Sequence, residues 1–277
     1  MKKIIIPIVA LLISFGFSMV ITRLITWKRR KAGTLTRKRR ILVFVLVLLF
    51  VYFSSGFVYF SIYSHATDQA LAYMNGSGTV KVSEVDTGYF FDGPGTEDAY
   101  IFYPGAKVDE KAYAELMVKL AERGVDCFLV KMPLHMAFLG RDKATKVMQT
   151  YDYKRWYIGG HSLGGAIAGA YIHEHPEGLS GAVMLAAYWD GDIPEGLPIV
   201  TITGTEDHVL NWDSFENGKK KWTSDVTWVS IKGGNHSQFG DYGFQKGDGE
   251  ATISREEQLR QVVEAAMTMI QAQRDVV

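Results

Sequence analysis

The sequence predicts an α/β protein with a mostly parallel sheet that is covered by helices on both faces. Three observations lead to this prediction. From residue 99 onward, short continuous apolar runs alternate with stretches of helical periodicity, which is typical of strands buried on both faces. A glycine-rich turn joins one such run to a helix-forming stretch. Two longer apolar runs precede this region, and we expect them to form transmembrane helices ahead of the sheet.

Residues 1–64 are predicted to form a membrane anchor with two spans, at about residues 4–25 and 41–63. Each run is long enough to cross a hydrocarbon core of about 30 Å at about 1.5 Å per residue. A buried helix of a soluble domain is the alternative, but neither run has a polar face. A lipid bilayer is therefore the partner that this region predicts.

The loop between the two runs, residues 26–40, is strongly basic. Nine Lys and Arg residues and no acidic residue lie between positions 23 and 40, and such an excess is typical of cytoplasmic loops. A cleaved signal peptide is the alternative for the first run. We see no convincing small-residue cleavage site, however, and cleavage would leave the basic loop outside. The prediction is a multi-pass protein of the cell membrane whose remaining domain lies on the extracytoplasmic side.

Residues 65–78 are predicted to form a stalk, and residues 79–277 the globular domain. Residues 79–86 alternate between valine and polar side chains, and residues 89–91 are aromatic, so we expect an antiparallel hairpin at the sheet edge. The further predicted strands are residues 99–103, 125–132, 155–158, 181–187, 198–203 and 226–231, and the predicted helices are residues 109–123, 141–151, 166–173, 212–222 and 254–273.

Composition excludes several kinds of partner. The formal net charge is zero, which leaves no electrostatic footprint for nucleic acid over the whole chain. The single cysteine, Cys127, cannot form an internal disulfide. No histidine and carboxylate cluster has the spacing of metal ligands. We therefore expect no metal, no cofactor and no nucleic acid, and infer no obligate protein partner.

The glycine-rich turn at residues 160–164 has the sequence Gly-His-Ser-Leu-Gly, the pattern of a nucleophile elbow. Glycines two residues before and after Ser162 leave room where a Cβ would clash. The helix that follows would direct its N-terminal N–H groups toward the serine. Ser162 is therefore the predicted nucleophile.

A serine hydroxyl is a weak nucleophile that needs an adjacent histidine, oriented by a carboxylate. Ligands of such sheets bind at the carboxyl ends of the strands. Asp207 and His236 follow two later predicted strands, and we predict them as the acid and the base. Asp190 and Glu206 remain alternatives for the acid, and His208 remains one for the base.

Acyl transfer also needs N–H donors for the oxyanion. The residue after the nucleophile, Leu163, supplies one backbone N–H. The second comes from the loop after the first buried strand, where Ala106 is our prediction and Lys107 the alternative.

Four segments together resemble the α/β-hydrolase superfamily, and more narrowly its compact bacterial branch known as family 5. They are residues 103–109, the elbow, residues 204–207 and residues 233–240. The resemblance covers about residues 80–273. It implies a serine hydrolase fold with Ser162, Asp207 and His236 as the catalytic triad.

Other members of the superfamily insert a large lid after the sixth strand, but here few residues separate the two predicted strands. We therefore expect no lid and an open substrate pocket. Ordinary core packing is the alternative role for the pocket's aromatic residues. The predicted pocket residues are Tyr103, Leu134, His135, Tyr188 and Trp189.

The resulting prediction is a membrane-anchored serine hydrolase of the carboxylesterase or lipase type. It would cleave a small ester or related acyl substrate through a Ser-His-Asp triad and an acyl-enzyme. Acyl transfer to an envelope or lipid component is the related alternative. A non-catalytic, hydrolase-like binding protein is the third hypothesis, which the presence of all three triad residues disfavours.

Overall fold

The computed structural model describes residues 2–31, 36–222 and 225–275. These residues form two compact units, Met1–Ile62 and Tyr63–Val277. The first unit contains only helices, whereas the second contains the sheet. Each unit is described by itself below.

The first unit consists of the helices α1 (Lys2–Lys31) and α2 (Arg37–Ser61). Four hydroxyl side chains spaced four residues apart on α1 are buried, whereas large apolar side chains such as Phe17 and Leu24 are mostly exposed. Within the hydroxyl row, Ser18 and Thr26 each donate to a backbone carbonyl one turn earlier. Small polar residues inside and large apolar residues outside are typical of helices that pack within lipid. The four residues of the hydroxyl row are Ser14, Ser18, Thr22 and Thr26.

One helix of the described chain, α2, is long and apolar enough to cross a membrane, with a mean hydropathy of 2.7 and no buried part. The sequence predicted two spans. The apolar stretch of α1 found among the described side chains, Ile13–Trp27, is shorter than a span. Side chains of residues 2–12, which hold much of the first predicted span, lie outside the described part, as do residues 32–35 of the predicted loop. The first span therefore stays a prediction.

The segment predicted as a stalk is folded as part of the second unit. It contains the short helix α3 (Asp68–Ala72). The Thr67 side chain caps this helix by accepting the N–H of Ala70, which is fully buried. Tyr73 donates its hydroxyl hydrogen to Glu115 at 2.9 Å. A capped helix turn and a buried alanine tie this segment to the rest of the globular unit.

One eight-stranded sheet runs through the second unit in the order β1-β2-β4-β3-β5-β6-β7-β8. β2 pairs antiparallel with both β1 and β4, and all other neighbours are parallel. The mostly parallel sheet and its antiparallel edge hairpin confirm the predicted fold class. The strands are β1 (Lys81–Val85), β2 (Gly88–Asp92), β3 (Asp98–Tyr103), β4 (Asp126–Val130), β5 (Arg155–His161), β6 (Leu179–Leu185), β7 (Ile199–Gly204) and β8 (Val226–Ile231).

Helices cover both faces of this sheet. Leu116 of α4 and Ile270 of α8 belong to the apolar cluster on one face. Val147 of α5 and Ile172 of α6 belong to the cluster on the other. A parallel sheet buried on both faces explains why its strands read as continuous apolar runs. The helices are α4 (Ala114–Ala121), α5 (Lys143–Thr150), α6 (Leu163–Glu174), α7 (Trp212–Lys219) and α8 (Arg255–Arg274).

The parallel register brings the functional loops to one edge of the sheet. Tyr103, at the end of β3, pairs with Gly160 near the end of β5, and Gly204 at the end of β7 pairs with Ile231 at the end of β8. The loops that follow these strands therefore meet at their carboxyl ends, where ligands bind in open α/β sheets.

Candidate active site

Ser162 occupies a sharp turn between the last residue of β5 and the first residue of α6. Its backbone has φ 53° and ψ −122°, a strained conformation for a residue with a side chain. Its N–H donates to the carbonyl of Leu185 at 2.9 Å, which fixes the turn to β6. Such strain at a strand-to-helix corner exposes the serine above the sheet edge.

Glycine is required on both sides of Ser162 because β3 passes very close. A Cβ on Gly160 would lie 2.4 Å from the carbonyl oxygen of Tyr103, and one on Gly164 would lie 2.1 Å from the same oxygen. Real Cβ atoms do not approach backbone atoms this closely. The spacing of the two glycines in the sequence thus reflects contact with a neighbouring strand.

Asp207 and His236 form a buried pair at the ends of β7 and β8. Asp207 Oδ2 lies 2.8 Å from His236 Nδ1, and each residue is 1 % exposed. Asp207 Oδ1 accepts the backbone N–H groups of Val209 and Leu210 at 2.9 and 2.8 Å. These bonds fix the orientation of the carboxylate. With Nδ1–H donated to Asp207, a neutral His236 ring has Nε2 as its free acceptor.

Ser162 and His236 line the same cavity, which has a volume of about 420 Å³. This is the size of a site for a small organic molecule. In the described part of the chain, no cluster of three or more His, Cys, Asp or Glu side chains could hold a metal ion. The other lining residues are Leu163, Ala166, Ala186, Ala187, Tyr188, Trp189, Asp190, Val209, Leu210 and Asn211.

Two backbone N–H groups remain for an oxyanion. Gly105 donates its N–H to the Tyr113 hydroxyl at 3.2 Å, and Lys107 donates its N–H to the carbonyl of His135 at 2.8 Å. The N–H of Ala106, between them, has no partner among the described residues. Leu163 is the first residue of α6, so its N–H has no carbonyl within the helix. Of the two residues considered for the loop donor, Ala106 is thus the one with a free N–H.

Tyr113 links the elbow to the loop that follows β3, residues 104–107, here called the oxyanion loop. Its hydroxyl accepts the N–H of Gly105 and lies 2.8 Å from His161 Nδ1. The hydroxyl can donate its hydrogen to that nitrogen when the other nitrogen of the His161 ring carries the ring hydrogen. The His161 ring in turn packs against the His236 ring, with centroids 4.5 Å apart. This chain of contacts connects three loops of the site.

His161 is held neutral. Burial, and to a lesser degree the neighbouring His236, keeps the pKa of His161 well below its ordinary value. A neutral ring can accept the Tyr113 hydrogen at Nδ1, whereas a protonated ring would donate there instead. The depressed pKa therefore keeps a charged group out of the buried contact between the elbow and the oxyanion loop.

Asp248 fixes the loop that carries His236, and the sequence analysis did not predict this role. Its Oδ1 accepts the N–H of His236 and that of His208, each at 3.3 Å, and its Oδ2 accepts the N–H of Ser237 at 2.8 Å. The Ser237 hydroxyl also donates to Asp248. One buried carboxylate therefore joins the histidine loop to the acid loop. No local pattern around Asp248 signals this.

The alternatives for acid and base lie apart from the buried pair. Asp190 is exposed and forms a salt bridge with Lys221 at 2.7 Å. Glu206 accepts a hydrogen bond from the neighbouring Thr205 hydroxyl at 2.9 Å. His208 is exposed. None of the three has a described hydrogen bond with His236 or Asp207.

The predicted pocket residues divide into two groups. Tyr188 and Trp189 line the cavity with Ser162. Tyr103 does not: it is fully buried and its hydroxyl bonds with the Arg141 carbonyl and the Ala144 N–H. Side chains alternate between faces along a strand, and Tyr103 is turned toward the α5 side.

Leu134 and His135 are also absent from the cavity lining. They lie in a 3₁₀ turn, Pro133–His135, where both adopt positive φ angles, 51° and 53°. His135 Nδ1 lies 3.5 Å from Glu110 Oε2. Burial would raise the pKa of Glu110, but the contact with His135, a backbone hydrogen bond and the charge of Lys131 together outweigh burial, so that pKa lies below its usual value. This correction moves both residues out of the pocket and into a neighbouring cluster.

A family model described as "Alpha/beta hydrolase family" matches residues 99–260. The chain belongs to the α/β-hydrolase family. Within this α/β hydrolase, only residues 186–198 separate β6 from β7, so the described chain has no lid domain at that position. A search of curated proteins finds no significant match.

Several solved structures share the α/β-hydrolase fold at low sequence identity. Est1E from Butyrivibrio proteoclasticus is 14 % identical with a TM-score of 0.51, covering 70 % of this chain and all of Est1E. A putative hydrolase from Agrobacterium vitis S4 is 15 % identical with a TM-score of 0.54, covering 69 % and 99 %. A ferulic acid esterase from Streptomyces cinnamoneus is 17 % identical with a TM-score of 0.52, covering 64 % and 67 %. At these identities the likeness concerns the fold.

Proposed function

We propose that this α/β hydrolase is a membrane-anchored serine hydrolase that cleaves an ester or related acyl bond. One observation carries the proposal: Asp207 and His236 are hydrogen-bonded at 2.8 Å, and His236 lines the same cavity as the strained Ser162. A serine, a histidine and a carboxylate in this arrangement are suited to nucleophilic acyl transfer.

In the first half-reaction, Ser162 Oγ attacks the acyl carbon while His236 Nε2 takes the hydroxyl proton. Asp207 stabilises the resulting imidazolium through its bond to Nδ1. The tetrahedral oxyanion accepts the N–H groups of Leu163 and Ala106. His236 then gives its proton to the leaving alcohol, and an acyl-enzyme at Ser162 remains.

In the second half-reaction, water attacks the acyl-enzyme. His236 removes one proton from the water and returns it to Ser162 Oγ as the carboxylic acid leaves. The same two N–H donors stabilise the second oxyanion. Each donor is expected to contribute about 3–4 kcal/mol to the transition state.

The cavity favours a small, largely apolar acyl group. Its volume is about 420 Å³, and two of its larger lining residues are the aromatic Tyr188 and Trp189. Two of the structures with the same fold are Est1E with ferulic acid bound and a ferulic acid esterase. A small aromatic or short aliphatic ester is consistent with these features.

The membrane anchor is part of the proposal. α2 has the length and hydropathy of a span, and α1 buries its hydroxyl row while exposing large apolar side chains. The basic loop between them favours a cytoplasmic position. We therefore expect two spans with the hydrolase unit on the extracytoplasmic side of the cell membrane.

The activity is tested with a panel of p-nitrophenyl esters, from acetyl to dodecanoyl, on the full chain in detergent. We expect turnover that is highest for the shorter acyl groups and that disappears in Ser162→Ala. Equal turnover in Ser162→Ala, or no turnover of any ester by a folded wild type, would contradict the proposal.

The orientation is tested with single cysteines and a membrane-impermeant maleimide on intact cells. Ser77→Cys, at an exposed position after the spans, should be labelled without permeabilisation. Thr36→Cys, within the basic loop, should be labelled only after permeabilisation. The reverse pattern would contradict the proposed orientation. The native Cys127 is buried, so the wild type serves as the unlabelled background.

A further inference from the structure

Residues 63–65, here called the strap, follow directly after α2 and pair with the oxyanion loop. Ser64 donates its N–H to the carbonyl of Lys107 and accepts the N–H of Asp109, both at 2.8 Å. The two hydrogen bonds form an isolated parallel bridge around Val108. Lys107 is the residue next to Ala106. The strap therefore binds the oxyanion loop one residue away from the free N–H of Ala106.

A second contact reaches the same loop through a side chain. The Tyr63 ring stacks on the His135 ring with centroids 3.8 Å apart and an interplanar angle of 27°. His135 accepts the Lys107 N–H at its carbonyl and pairs with Glu110 through its ring. Lys107 is therefore held from one side by Ser64 and from the other by His135, against which Tyr63 packs.

The loop needs such restraint because its backbone is strained. Lys107, Leu134 and His135 all have left-handed φ angles, 57°, 51° and 53°. A left-handed φ angle is unfavourable for a residue with a side chain, and it persists only where surrounding contacts determine it. Without the strap, relaxation of Lys107 would turn the peptide that carries the Ala106 carbonyl and the Lys107 N–H. Ala106 would shift with that peptide, and the position of its own N–H would change.

From these contacts we infer that the strap is a positioning element for the oxyanion hole, so that the segment leaving the proposed membrane span is part of the catalytic scaffold. The inference rests on the proposed function. An oxyanion donor acts only when it lies within hydrogen-bond distance of the developing charge. Loss of the strap is therefore expected to lower kcat while leaving ground-state binding nearly unchanged.

The test uses the full chain in detergent, with p-nitrophenyl butyrate as substrate and a trifluoromethyl ketone as the tetrahedral analogue. Ser64→Pro removes the N–H donor, and Ser64→Ala is the matched control that keeps the backbone bonds. Tyr63→Ala removes the ring stack, and Tyr63→Phe keeps it. Circular dichroism gives the folded fraction, to which kcat is normalised.

We expect Ser64→Pro and Tyr63→Ala each to lower kcat by about tenfold or more, with KM within about twofold of wild type. Inhibition by the ketone should weaken by the same factor, and both controls should match wild type. Unchanged kcat in both variants, or a loss explained by the unfolded fraction, would overturn the inference while the proposed function stands. A folded wild type that turns over no ester would instead contradict the proposed function.

Discussion

Asp207 Oδ2 lies 2.8 Å from His236 Nδ1, and the other carboxylate oxygen of Asp207 accepts two backbone N–H groups. These two backbone bonds fix the orientation of the Asp207 carboxylate toward the histidine. His236 is held in the same way, since Asp248 accepts its backbone N–H. His236 therefore reaches the cavity as a rigid group, with Asp207 fixed behind it, which is what proton transfer from Ser162 requires.

The first prediction concerns Asp207. Asp207→Asn keeps the shape of the side chain but replaces the acceptor of the Nδ1–H bond, so the histidine can adopt the wrong tautomer. We expect kcat to fall by about 10³–10⁴-fold, measured with the best ester of the panel. Glu206→Gln, at the neighbouring carboxylate that does not line the cavity, is the matched control and should stay within about twofold. Equal losses in the two variants would contradict the assignment of the acid.

The second prediction concerns the Tyr113 hydroxyl. Tyr113→Phe leaves the buried N–H of Gly105 and the Nδ1 of His161 without their partner, which should cost about 1–3 kcal/mol of stability. Because Gly105 adjoins Ala106, kcat should also fall by about tenfold, less than the loss of a whole oxyanion donor. The measurement combines denaturant unfolding with kcat.

Tyr100→Phe supplies the control for this prediction. Tyr100 is equally buried, and its hydroxyl donates to the Val183 carbonyl at 3.4 Å, within the sheet. The Tyr100→Phe enzyme should lose stability but keep the kcat of the wild type. A Tyr113→Phe enzyme with full kcat would show that the hydroxyl does not support the oxyanion loop.

The third prediction concerns pH and His161. In the unfolded chain this histidine takes up a proton below about pH 6.5, whereas in the folded chain its pKa is well below that value. Acid therefore favours the unfolded state. The free energy of unfolding should fall as pH drops below about 6.5, with His161 contributing up to about 1.4 kcal/mol per pH unit.

Denaturant unfolding of the full chain in detergent between pH 7.5 and 5 measures this slope. His161→Gln should show a shallower slope than wild type, whatever its stability at neutral pH. His208→Gln, at an exposed histidine, should keep the wild-type slope. Identical slopes for His161→Gln and wild type would show that His161 is not held neutral by the fold.

The fourth prediction concerns the elbow glycines. A Cβ on Gly164 would lie 2.1 Å and 2.3 Å from the carbonyl oxygens of Tyr103 and Pro104. Gly164→Ala should therefore force β3 and the elbow apart, with a stability loss of about 1–3 kcal/mol and a large loss of kcat. Gly78→Ala, where no atom lies within 4 Å of the added Cβ, should be neutral. Retained kcat in Gly164→Ala would contradict the tight elbow.

The sequence was sufficient to predict the fold because its signals were local. The continuous apolar runs correspond to buried parallel strands such as β4 and β6. The glycine spacing around Ser162 marks the corner between β5 and α6. Asp207 and His236 were predicted because each follows an apolar run directly, and parallel strands bring such positions to one edge.

The remaining parts of the site depend on contacts between distant residues. Tyr113 meets His161 across 48 positions of the chain, and the Asp248 carboxylate binds a loop eleven and twelve residues earlier. Neither pairing has a signature in the local sequence. The pocket prediction was wrong for Tyr103. A position at the end of a strand places a residue at the carboxyl edge of the sheet, but it does not determine the face of the sheet on which the side chain lies.

The predicted stalk shows a similar limit. Residues 65–78 are too short and too mixed for a clear helical period, and only the tertiary structure reveals that Ala70 is buried. The same holds for Ser64, at the end of the predicted anchor, which pairs with the oxyanion loop. Sequence hydropathy located α2 because the length of an apolar run is enough to predict a membrane-spanning helix. For the first predicted span, the same criterion depends on residues 2–12, whose side chains lie outside the described part.

The central claim is that Ser162 is an activated nucleophile, and covalent labelling tests it most directly. The full chain in detergent is treated with a fluorophosphonate, and the modified residue is identified by intact-mass and peptide mass spectrometry. The account predicts one phosphonyl group on Ser162 and no labelling of Ser162→Ala, with labelling strongly slowed in His236→Gln. Undiminished labelling of Ser162→Ala, or modification at another residue of the wild type, would contradict it.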